Sequence, residues 1–217
     1  MNLPSKAVPR LLESKLPLVL ADTSMPEFDS ISISNKDGAY AAVNHLIGLG
    51  HCSIGMINAH PISLPAVQRL EGYKRALAEK GLPFYESLVK AGTYKKDDGF
   101  SREAGFEAMM DFIKMGSGMP KAFFISSDIQ AIGAMDALAK KGLKVPDDVA
   151  IVAFDDIELA SYAKLTTMHQ PMYEIGVNAV ERLVARMANP YAEILHTSFS
   201  PSLVIRESCG ASVRRKD

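Results

Sequence analysis

Three stretches of this chain place polar residues directly after apolar runs of strand length. Asp22 follows Leu18-Val19-Leu20-Ala21, the triplet Ser126-Ser127-Asp128 follows Ala122-Phe123-Phe124-Ile125, and Asp155-Asp156 follows Val149-Ala150-Ile151-Val152-Ala153-Phe154. In open α/β sheets, ligands bind at the carboxyl ends of the strands, so these positions form a candidate binding rim. Ser127 and Asp128 also stand where they would cap the helix that follows. Any one of them is explained as a cap or a loop carboxylate; three equivalent positions together favour a polar-lined site. Arg69 falls at the first turn of a helix expected over residues 66–80, the helix end whose dipole disfavours a cation. It therefore pairs with a carboxylate or reaches for a ligand. An arginine facing carboxylates suits vicinal hydroxyls, because the guanidinium donates and the carboxylate accepts. Tyr94, after a strand expected over 88–93, offers a flat apolar wall, or else is a half-buried loop tyrosine.

Signatures of catalysis are absent. The chain has no GxSxG elbow, Walker loop or HExxH. The segment Gly48-Leu49-Gly50-His51-Cys52-Ser53 follows a helix and ends in Ser, so a dinucleotide loop is excluded. His45 and His51 are six residues apart, the wrong spacing for one helix face, and His169 reads as structural. The two cysteines, Cys52 and Cys209, lie far apart without CxxC or metal-ligand spacing. Cys52 opens an apolar strand, so inert burial is expected. No enzyme, cofactor or metal site is expected. Lys+Arg 24 against Asp+Glu 25 gives a net charge of −1, which removes the electrostatic route to nucleic acid. The longest apolar runs are strand-length, the Met1-Asn2-Leu3-Pro4-Ser5-Lys6 start does not read as a signal peptide, and a cytoplasmic protein without membrane contact is expected. Arg214-Arg215-Lys216 reads as an exposed terminus.

The elements that must position these residues alternate. Ala39, Ala42, Val43, Leu46 and Ile47 form one helical stripe that stops at Gly50. Helices are expected over 66–80, 101–115, 129–141 and 172–187, and strands over 53–58, 88–93, 122–126, 149–154, 194–199 and 203–205. Near-continuous apolar strands alternating with helices indicate an α/β fold with a parallel sheet covered on both faces. Residues 1–35 are different: one short helix (8–15) and strands over 18–22 and 30–34 do not make a self-sufficient sheet.

Taken in order, several segments resemble the effector-binding domain of the LacI/GalR family of bacterial transcription regulators. They are Ser34-Asn35-Lys36-Asp37-Gly38-Ala39, HLIGLGH, Arg69-Leu70-Glu71-Gly72-Tyr73, SSDIQAIGAMDAL, GLKVPDDVAIVAFDD, LTTMHQP and SLVIRES, and the resemblance runs from about residue 7 to 208. It implies a type I periplasmic-binding-protein-like fold, two parallel-sheet lobes joined by three crossings with a small effector between them. The crossings are expected near residues 33–35, 169–171 and 199–202. That assigns 1–33 and 171–199 to an N-terminal lobe, 34–169 and 200–210 to a C-terminal lobe, and 211–217 to a tail. The family begins with a helix-turn-helix and several further elements of the first lobe. The chain is therefore expected to be N-terminally truncated, with an incomplete first lobe and no DNA binding of its own.

The resemblance also implies a site. Arg69 matches the effector-binding Arg, Asp155 the first Asp of the FDD motif, Asp22 a strand-end Asp, Tyr94 an aromatic position and Met172 a hydrophobic cleft residue. Ser63 lies in a loop that contacts ligand in the family. Ser127 departs, standing where the family commonly has Asn before Asp128. The expected effector is a small, sugar-like molecule, with operator DNA bound only through the full-length parent and a homodimer as the assembly. A solute-binding protein of a sugar transport system is the alternative.

Overall fold

The computed structural model describes residues 7–92 and 97–211. The chain divides into two compact units. The first holds the described part of Met1–Ser34 together with Gln170–Pro201; the second holds Asn35–His169 and the described part of Ser202–Asp217. The chain thus changes unit three times, after Ser34, His169 and Pro201.

The first unit contains α1 (Ala7–Ser14), β1 (Val19–Ala21), β2 (Asp29–Ile33), α7 (Met172–Ala188) and β8 (His196–Phe199). Its three strands are parallel in the order β1-β2-β8. Ile31 and Ile33 of the central strand are buried, and α7 packs on β1 and β2. That helix buries Ile175 fully, while Val180, Val184 and Met187 stand about 60 % exposed (62 %, 60 % and 62 %). The periodic apolar residues of α7 therefore do not share one environment: Ala179 and Leu183 are half-buried, and the rest of the stripe meets solvent.

Polar chemistry holds this small unit together. Asp29, 1 % exposed, accepts from Arg186 Nε at 2.7 Å and from the Leu195 N–H at 2.8 Å, and pairs with Arg182 Nη2 at 2.7 Å. Arg186 also donates to the carbonyls of Pro190, Ala192 and Glu193. One carboxylate so ties the start of β2 to the end of α7 and to the chain entering β8.

The second unit carries a six-stranded sheet in the order β4-β3-β5-β6-β7-β9. Its strands are β3 (Ile54–Asn58), β4 (Val89–Ala91), β5 (Ala122–Ile125), β6 (Ala150–Asp155), β7 (Thr166–His169) and β9 (Ser202–Val204). All neighbours are parallel except β9, which runs antiparallel to β7. β7 carries no long apolar run and α6 (Glu158–Tyr162) is barely one turn, so neither shows a period that sequence reading can detect. Both faces of the sheet are covered. Ile57, Phe123, Ile125, Ile151 and Ala153 pack with α4 (Arg102–Ile113) and α5 (Asp128–Lys140). Strand alternation sends Met56, Phe124, Val152 and Phe154 to the other face. On that side lie α2 (Asn35–Gly48) and α3 (Leu64–Glu79), which pack closely on each other.

Glycines permit the close helix approaches. A Cβ on Gly133 would lie 1.9 Å from the Arg102 carbonyl oxygen, and one on Gly105 would lie 2.0 Å from that of Gln130. Alanine gains up to about 1 kcal/mol over glycine in a helix interior. At Gly133 the overpacking dominates, so Gly133→Ala is expected to destabilise by about 1–3 kcal/mol. Gly176 in α7 has no atom within 4 Å of such a Cβ, and Gly176→Ala is expected to act in the opposite direction. Urea denaturation of the two variants beside the wild type reads both signs; destabilisation by both would contradict this packing account.

Two local expectations are corrected. Cys52 is exposed, because β3 begins only at Ile54, whereas Cys209 is buried. The helix expected from residue 66 starts at Leu64, with Ser63 at its N-cap and Pro65 in its first turn. Arg69 therefore lies in the second turn, beyond the strongest field of the helix end.

Candidate functional site

Arg69 is 5 % exposed and held by several protein partners. Its Nε donates to Asn35 Oδ1 at 2.8 Å, and Nη1 donates to the main-chain oxygen of Ser126. The same Nη1 stands 3.6 Å from Asp155 Oδ1. The guanidinium stacks on Phe154, 3.8 Å from the ring centroid, with Phe100 at 5.7 Å. Arginine tolerates such a place because its flat, weakly hydrated cation lies against a ring face while its edge donates in plane. The cation of α3 is thereby fixed over the carboxyl ends of β5 and β6.

A buried polar network supports it. Ser126 Oγ donates to Asn58 Oδ1 at 2.6 Å, and Asn58 Nδ2 donates to the Ala66 carbonyl at 3.0 Å. Gln130 Nε2 donates to the carbonyls of Asn58 and Gly99, both at 2.9 Å. Asn35 Nδ2 in turn donates to Gln68 Oε1 at 3.2 Å. Satisfied networks of this kind hold a site rigid in a low-dielectric interior.

Asp155 is the last residue of β6 and its side chain is one-quarter exposed. It has φ 121° and Asp156 has φ 61°, two consecutive non-glycine residues in a region that L side chains rarely enter. Each such residue costs on the order of 1–3 kcal/mol and persists only where its surroundings hold it. Asp156 accepts from Arg206 Nη2 at 2.7 Å and lies 3.0 Å from His169 Nδ1.

The sequence candidates separate in position. Arg69 and Asp155 come together. Asp128 is fully buried at the first position of α5; its oxygens accept from Thr167 Oγ1 at 2.6 Å and from the Ile157 N–H at 2.9 Å. Burial pushes its carboxyl up, to about 7, against the hydrogen bonds from Thr167, Ile157 and Asp156, with Asp155 adding like-charge repulsion. Ser127 is buried and caps α5, its Oγ accepting from the Gln130 N–H. Ser63 is buried at the N-cap of α3. Asp22, exposed after β1, and Met172, the exposed first residue of α7, belong to the first unit. Tyr94 lies outside the described residues. Ser126, part of the strand-end triplet, enters the site through its main-chain oxygen on Arg69 and its hydroxyl on Asn58. Asn35, Phe100 and Phe154 are not candidates from the sequence, because their roles come from contacts far apart in it. Asn35 and Phe154 stand in segments that support the resemblance, but there the one reads as a helix start and the other as core. Among the described residues, no group of three or more His, Cys, Asp or Glu could hold a metal ion, and no helix is long and apolar enough to cross a membrane.

A mostly parallel sheet with an arginine, amides and carboxylates gathered at its strand ends defines an α/β binding domain. The chain belongs to the periplasmic binding protein-like domain family, whose model matches residues 43–209. Its curated relatives include the HTH-type transcriptional repressor PurR of Vibrio parahaemolyticus, 34 % identical over 200 residues, and that of Photobacterium profundum, 33 % identical over 200 residues. Each alignment covers 90 % of this chain and 58 % of the relative, so the chain spans less than two thirds of those repressors' length. Among solved structures, a LacI-family regulatory protein of Chloroflexus aggregans superposes with TM-score 0.85 at 31 % identity, over 97 % of this chain and 74 % of that one. The transcriptional regulator CelR in complex with cellobiose gives TM-score 0.84 at 27 % identity, over 94 % of this chain and 62 % of that one.

Proposed function

We propose that this chain is the effector-sensing part of a LacI/GalR-type transcriptional regulator, binding a small polar metabolite without turning it over. The observation that carries the reading is the Arg69–Asp155 pair, a donor fork and a carboxylate acceptor side by side at the ends of β5 and β6. The pair grips a hydroxyl-rich ligand, the arginine donating and the aspartate accepting. The repressor names of the relatives favour a regulator over a transport protein, and the cellobiose bound by CelR favours a sugar-like effector. Within this reading Asp22, Ser63, Tyr94, Ser127 and Met172 are candidate effector contacts on the strength of the family resemblance alone. A cytoplasmic homodimer and operator contact made by the whole regulator belong to the same proposal.

The test is a thermal-shift screen of the 217-residue chain against mono- and disaccharides, nucleobases and nucleosides at millimolar concentration. A ligand present at 100 times its dissociation constant stabilises the folded state by about 2.7 kcal/mol, a clear rise in Tm. A sugar is expected to raise Tm; a nucleobase alone doing so would replace the sugar-like assignment.

A further inference from the structure

The turn carrying Asp155 is strained, and something must hold it. Asp155 and Asp156 both have left-handed φ, and four side chains restrain the turn. Arg69 takes Asp155, Arg206 and His169 take Asp156, and Asp128 takes the next amide, the Ile157 N–H. Asp128 alone among these carboxylates is fully buried, reaching the turn from behind at the start of α5. Resting on the reading of Arg69 and Asp155 as the effector-gripping pair, we propose that Asp128 is a positioning residue. Its ionised carboxylate holds the 155–157 turn so that Asp155 faces Arg69, and a proton on Asp128 loosens that pair.

The chemistry gives the direction. An ionised carboxylate accepts more strongly than a neutral acid, and charge-assisted hydrogen bonds are roughly twice as strong as neutral ones. Protonation weakens the hold on Ile157 and also removes the like charge that disfavours Asp155 turning back towards Asp128. The groups facing this cluster are Asp155 and Asp156 at the end of β6, Thr167 of β7, Arg69 on Asp155, and Arg206 and His169 on Asp156. Burial places the exchange of that proton near neutrality, at about 7. The Asp155–Arg69 pair is then fully formed only above that pH.

The experiment is a two-dimensional NMR titration of the whole chain between pH 5.5 and 8.5, following the Ile157 amide and the Arg69 Nε–H. Both signals are expected to move with one midpoint near 7. Asp128→Asn, an isosteric mimic of the neutral acid, is expected to flatten both. Thr167→Val removes a donor that favours the charged form, so the shared midpoint is expected to rise even if the Asn variant does not fold. His169→Gln keeps a side-chain donor for Asp156 while removing the imidazole, and the Asp128-dependent midpoint is expected to stay in place. Separate midpoints for the two signals, an Arg69 titration that survives Asp128→Asn, or one that vanishes in His169→Gln would overturn the proposal. No effector is added, so a failure here leaves the effector reading standing, and a failure of effector binding leaves this coupling standing.

Discussion

Arg69→Ala is expected to weaken effector binding by between roughly 30-fold and several-thousand-fold, the equivalent of about 2–5 kcal/mol for removing one partner of a buried, hydrogen-bonded charge set. The size follows from where the guanidinium sits. It is 5 % exposed, stacked on Phe154 and anchored by Asn35 and the Ser126 carbonyl, so it is already oriented before a ligand arrives. Preorganisation of this kind reduces the entropic cost of binding. Asp155→Asn keeps the shape and removes the charge, and is expected to fall in the lower part of the same range. Isothermal titration calorimetry of both variants with the strongest ligand from the screen reads these losses. Unchanged affinity in both would remove the pair from the site.

Asp29→Ala is expected to cost the first unit about 3–5 kcal/mol, the penalty for leaving buried charges without their partner. Arg182 and Arg186 both converge on this one carboxylate. A three-stranded sheet covered by one helix with a single fully buried residue has little apolar burial to offset the loss. Burial alone would raise the Asp29 pKa; hydrogen bonds from Arg186, Arg182 and the Leu195 N–H overcome it and hold the carboxyl at about 2, below its ordinary 3.8. With the folded value below the unfolded one, this stabilisation is complete above pH 4 and disappears as pH falls towards 2. Amide hydrogen exchange at residues 29–33 and 172–188 is expected to accelerate in Asp29→Ala and in wild type below pH 4, while β3, β5 and β6 stay protected at near-neutral pH. Equal protection of the two regions in the variant would contradict this account.

These two sites show what sequence reading can reach. Strand-length apolar runs and a 3.6-residue helical period made the α/β alternation legible, because both patterns report burial within one element. Arg69 and Asp155 were marked too, Arg69 as a cation at a helix start, although α3 begins at Leu64 and puts it in the second turn, and Asp155 as a carboxylate at a strand end. The grip of Asp29 on Arg182 and Arg186 was not, since its partners lie over 150 positions away and nothing local marks it. Asp128 was found as a strand-end carboxylate, yet its buried partner is Thr167, in a strand too short and polar to be recognised. The stacking of Phe154 under Arg69 was hidden for the same reason: a phenylalanine in an apolar strand reads only as core.

The most direct test of the central claim is chemical-shift mapping of the strongest effector on the isotopically labelled chain. The account predicts saturable shifts centred on Arg69, Asn35, Ser126, Asp155 and Phe100, at the carboxyl ends of β5 and β6 and the starts of α2 and α4. Shifts centred instead on the cavity of about 520 Å³ in the first unit, lined by Leu12, Phe28 and Tyr191, with the Arg69 signals unmoved, would contradict it.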